Sequence, residues 1–219
     1  MHYTKHTITS FIHQADTIVK NGKQVDAIRN AVVKYGYDEQ QMSAGEILVK
    51  ELREIQIAQH EAKSEKVRNY KRKQNLQAQV HKLYMKYVKL GRIAFVNDVR
   101  ARKALVLDGG RERTYNEWLY QVTAFCSIML GNDNDYLEVM ARFGVTKLDF
   151  EDLKKQLKEL NKVSDLCLKS MGEVRELTAQ RKRKVLEMQQ YVSDFLKVAR
   201  IALEYSPKLL ESLGVAVKS

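Results

Sequence analysis

The stretch YVKLGRIAF at Tyr87 to Phe95 is followed 108 residues later by FLKVARIAL at Phe195 to Leu203, and the agreement extends well beyond these nine positions. Apolar residues at helical spacing (Ile8, Phe11, Ile12, Ala15, Ile18, Val19) are answered by Tyr115, Trp118, Leu119, Val122, Phe125 and Cys126. Ile28, Ala31, Val32, Tyr35 and Gly36 are answered by Tyr136, Val139, Met140, Phe143 and Gly144. Met42, Val49, Leu52 and Ile55 have counterparts in Phe150, Leu157, Leu160 and Val163, and Asp98-Val99 in Ser206-Pro207. Helix order, cap residues and both glycine stops thus recur together, which chance similarity between amphipathic helices does not produce. The reading is an all-α chain built by tandem duplication of an antiparallel helical bundle, three to four helices per copy. Copy one spans 1–108 and copy two 109–219, joined at Asp108-Gly109-Gly110-Arg111, the clearest linker signal present.

Local signals set the expected elements. Asn21-Gly22 stops the first helix, Gly36 takes the left-handed position after a second short one, and Asp38 opens a long helical stretch. Asp98 caps a short helix ending near Leu107; Ser206 is the equivalent cap, with Pro207 at the first helical position, where proline is tolerated. The 58 residues from Asp38 to Phe95, and their partners Thr146 to Leu203, would extend about 87 Å as continuous helices. The segment Gln59 to Lys66 is polar all round, and Ser170 and Glu173 have capping-box spacing. Turns are therefore expected near residues 63 and 171, folding each copy into a compact bundle.

Several chemistries lack their residues. No glycine-rich phosphate cradle occurs, and Gly109-Gly110 has no strand before it. None of the five histidines (His2, His6, His13, His60, His81) follows a glutamate by three, and His60-Glu61 lacks the second histidine of a zinc helix because Ser64 stands there. The run Asn132 to Asp135 lacks the glycine and distant glutamate of a calcium loop, so Asp133 or Asp135 is expected to cap the next helix. Cys126 and Cys167 lie in apolar helical pattern and read as packed thiols. No catalytic, metal or cofactor residue is assigned. No apolar run reaches the roughly 18 residues of a membrane span, and MHYTKHTITSFIHQ has no apolar export core, so a cytoplasmic, non-catalytic protein is expected.

Charge separates the copies. Copy one holds 20 basic against 11 acidic residues and copy two 18 against 16, so most of the net +11 belongs to copy one. Ten of those cations lie between Lys63 and Arg92, with Glu65 the one acid among them. On a helical wheel Arg68, Lys71, Lys82, Lys86 and Lys89 fall within about 60°, opposite Val80, Leu83, Tyr84, Tyr87 and Gly91. In copy two only Lys197, opposite Lys89, keeps that charge; Lys89/Lys197 and Arg92/Arg200 suit a helix C-terminus. Arg72 adjoins the stripe, and Arg181, Lys182, Arg183 and Lys184 form a second cluster expected to be wet. These cations point to a scaffold or adaptor that docks a protein partner, with nonspecific nucleic-acid binding as the alternative. Tyr70 alone among them offers an aromatic face for bases. Self-association is compatible with the same surface.

Overall fold

The computed structural model describes residues 7–131 and 135–215, and every regular element among them is helical. The helices are α1 (Ile8–Gln24), α2 (Asp26–Val32), α3 (Glu39–Ala94), α4 (Val99–Ala104), α5 (Tyr115–Met129), α6 (Tyr136–Ala141) and α7 (Lys147–Ala202). Short 3-10 segments follow α2 at Val33–Tyr35 and α7 at Pro207–Leu213. Among the described residues no helix is long and apolar enough to cross a membrane.

The caps follow the residue chemistry. Thr7 and Thr114 hydroxyls accept from the N–H groups of Ser10 and Glu117, and Asp98 accepts from Ala101 N–H at 2.8 Å. The Asp38 carboxylate accepts from Gln41 N–H at 2.9 Å, starting α3 where the sequence placed it. Gly36 closes the 3-10 turn at φ 89°. Gly22, expected as a stop, instead lies inside α1 and is buried. Its role is closeness: a Cβ there would stand 2.6 Å from Phe195 Cζ. The expected cap at Asp133 falls outside the described residues; Asp135 precedes α6 without a side-chain capping bond.

The expected turns near residues 63 and 171 are not present. α3 and α7 are each continuous over 56 residues. The segment Gln59 to Lys66 is polar but contains neither proline nor glycine, and its Ala62 and Gln59 are buried. Ser170 caps nothing; its hydroxyl donates back to the Leu166 and Cys167 carbonyls within the helix. Gly172, alone in a helix interior, costs only about 1 kcal/mol.

Compactness divides the chain into two units that do not coincide with the sequence halves. Unit 1 joins residues 1–64 to 172–219, and unit 2 is 65–171. In unit 1, α1 and α2 bury Phe11, Ile18 and Ile28 against Met42 and Leu52 of α3 and Met188 and Phe195 of α7. In unit 2, Trp118, Phe125 and Met140 pack with Tyr84 and Val88 of α3 and Phe150 and Leu153 of α7. Within each unit α3 and α7 run antiparallel. Unit 1 pairs Glu51 with Lys184 and Gln59 with Thr178, and unit 2 pairs Arg72 with Glu159 and Tyr87 with Asp149.

Candidate anion-docking groove

The cations singled out by the sequence fall in different units and have different occupations. Arg68, Lys71, Arg72, Lys82, Lys86 and Lys89 belong to unit 2, and Arg181 to Lys184 to unit 1. The second cluster is largely engaged in packing. Arg181 donates to Gln59 Oε1 at 2.6 Å and to Gln56 Oε1 at 3.1 Å, and Lys184 lies between Glu51 at 2.8 Å and Glu187 at 2.7 Å. Those two carboxylates hold the Lys184 ammonium above the usual lysine range. Lys182 and Arg183 are exposed, and Arg183 reaches Glu176 at 3.9 Å. The cluster is therefore exposed at Lys182 and Arg183 and half-buried at Arg181 and Lys184, which bond to residues of α3. Arg72 is likewise tied, to Glu159 at 2.5 Å.

The stripe on α3 is different. Arg68, Lys71, Lys82, Lys86 and Lys89 are all exposed, and among the described residues none of them forms an ion pair closer than 4 Å. The helix aims them outward because Val80, Tyr84, Tyr87, Val88 and Gly91 occupy the buried side. Three of these lysines, Lys82, Lys86 and Lys89, line a surface groove of about 790 Å³. Its remaining wall is Gln79, Leu83, Met85 and Leu90 from α3 and Gln156 from α7. The leucines and methionine are only partly buried, so they offer an apolar floor beneath a cationic rim.

One acid stands close by. The Asp149 carboxylate accepts from the Thr146 backbone N–H and hydroxyl, each at 2.8 Å. Those two bonds, helped less by the charge of Lys86, hold it below the usual carboxylate range against the opposing effect of burial. It also accepts from the Tyr87 hydroxyl at 3.5 Å. Burial, reinforced by that carboxylate, pushes the Tyr87 hydroxyl up to about 12. Asp149 thus closes the start of α7 from inside its first turn and, among the described residues, forms no ion pair within 4 Å with Lys86.

Helix periodicity located the cations but not the floor. Leu83 reads as core on a wheel, and Met85 and Leu90 carry no signal of their own. The row Leu76, Leu83, Leu90, one residue in seven and partly buried throughout, is the pattern that marks this flank. Gln156 lies beyond the linker and comes to the groove only through the α3–α7 pairing. Elsewhere in unit 2, Lys73 sits 3.7 Å above the Tyr115 ring, and Trp118 Nε1–H donates to His81 Nδ1 at 3.1 Å. Both contacts join α3 to α5, and none of their residues lines the groove. No protein-family model matches the chain, and neither a curated protein nor a solved structure is similar to it.

Proposed function

We propose that the chain is a tandem duplication of one antiparallel helical unit, and that it serves as a non-catalytic cytoplasmic scaffold or adaptor docking an acidic protein partner on the basic face of unit 2. The duplication is supported by matching boundaries and caps. α3 and α7 start at Glu39 and Lys147 and end at Ala94 and Ala202, one common offset. Tyr37 N–H bonds the Val32 carbonyl and Val145 N–H that of Met140, both at 3.3 Å, so the turns after α2 and α6 close alike. Leu107 N–H to Arg102 and Val215 N–H to Leu210 repeat the same closure one element later, at 3.0 and 3.1 Å.

The observation that carries the docking role is the set of exposed, unpaired cations, of which Lys82, Lys86 and Lys89 surround an apolar floor. Desolvating a lysine is favourable only where an opposite charge receives it, so such a rim selects an anionic partner. A nucleic acid would engage the same lysines through phosphates but has no use for Leu83, Met85 and Leu90. A protein partner uses both.

Affinity capture with the wild-type chain and with K82E/K86E tests this. Recovery of a stoichiometric acidic protein by the wild type and not by the variant is expected; equal recovery, or none, contradicts it. A duplex titrated against salt serves as the second arm. Tight binding with a steep salt slope, lost in K82E/K86E, would transfer the role to nucleic acid.

A further inference from the structure

The groove residue Leu83 has an aromatic counterpart in unit 1. The residue 108 positions after Leu83 is Tyr191, whose hydroxyl donates to the Gln41 carbonyl at 3.0 Å and whose ring lies against Gly45. A Cβ at Gly45 would stand 2.5 Å from that ring, so the tyrosine is seated tightly. Tyr37 adds an edge contact to Tyr191 at 6.1 Å and to Phe195 at 5.1 Å. At the corresponding place unit 2 has Leu83, with Leu153 at the Gly45 position and Val145 at the Tyr37 position, so two aromatic rings give way to aliphatic side chains and a leucine stands where the glycine was. The charges differ as well. Lys82 and Lys86 correspond to Gln190 and Asp194, and Asp194 is paired locally with Lys197 at 3.0 Å. Unit 2 thus presents a partly buried leucine rimmed by cations where unit 1 seats a tyrosine.

From this we infer that the groove takes an amphipathic α-helix of a partner protein, with carboxylates flanking its apolar stripe. This rests on the reading that the basic face of unit 2 docks a protein. Two antiparallel helices leave a furrow whose natural occupant is a third helix packed ridges into grooves. The lysines stand at intervals of four and three, the same period at which a helix repeats its own side chains. Gln79 to Leu90 spans about 17 Å of helix, three turns. A facing helix with glutamates at i, i+4 and i+7 meets Lys82, Lys86 and Lys89 while its leucines reach Leu83 and Leu90, which is helix-in-groove recognition. An extended acidic peptide repeats its side chains every two residues and matches neither set.

The test uses the full chain and three fluorescent probes: an acidic leucine-glutamate peptide of about four helical turns, the same composition broken by central prolines, and a short DNA duplex. The helical peptide binds, the broken one does not, and K86E weakens binding about tenfold, a change of about 1.4 kcal/mol. L83Y, whose ring has no glycine to sit against because Leu153 stands at the Gly45 position, projects into the groove and abolishes binding of the helix although every lysine remains. If broken peptide or duplex binds as tightly as the helix and L83Y has no effect, the helical occupant is overturned while an anion-binding face stands. If none of the three probes binds the wild type, both readings fall.

Discussion

Val106 stands in the left-handed region at φ 49°, alone among non-glycine residues of the described chain. Its counterpart after the C-terminal 3-10 helix is Gly214 at φ 71°, and both N–H groups close the same turn, onto Lys103 and Glu211. A β-branched residue there costs about 1–2 kcal/mol relative to the right-handed region. A Cβ at Gly214 would meet nothing within 4 Å, so G214V probes that conformational cost free of any clash. G214V should lower Tm by about 2–6 °C while the chain still folds; an unchanged Tm in a thermal melt would mean the two turns are not equivalent. At this scale the sequence is readable where the cause is local. Asp98, Gly36 and Asp38 announce their caps, but Gly22 reads as a stop because Phe195, the ring it admits, is far away in sequence.

Along the long helices the polar middle was visible, and its meaning was not. Turns were expected near 63 and 171, and the two compact units change over between Ser64 and Glu65 and between Met171 and Gly172, within a residue or two of those positions. What changes there is the packing partner, which composition cannot distinguish from a break in the backbone. The seam of unit 1 near this point is held by a buried polar network: Arg181 donates to Gln59, and Gln59 donates to Thr178 at 2.7 Å. Gln59 is only 2% exposed, so removing Arg181 strands its carbonyl oxygen. R181L should therefore cost about 1–3 kcal/mol, and Q59L in the same chain should recover at least about 1 kcal/mol of it. Denaturant unfolding of the four members of that cycle measures the coupling; strictly additive losses would show that the network does not hold the seam. The same non-local pairing explains why Arg181 and Lys184 read as free cations in the sequence. Their partners Gln56, Gln59 and Glu51 precede them by more than a hundred residues.

Taken as a whole, each compact unit draws on both sides of the Gly109-Gly110 turn: unit 1 from residues before 65 and after 171, unit 2 from 65–171. The groove depends on this, because Lys82 to Leu90 precede the turn and Gln156 follows it. Such sharing leaves neither sequence half with a closed core. Phe11 to Leu52 lack their cover without Met188 and Phe195, and Tyr84 and Val88 lack theirs without Trp118 and Phe150. The most direct measurement is to place a protease site at Gly109-Gly110, cleave the folded protein, and determine the mass of the product under native conditions. The two fragments should remain one species of the parent mass and keep the parent's helical signal, separating only in denaturant. Fragments that part on cleavage into two folded monomers would contradict the shared units, and with them the groove.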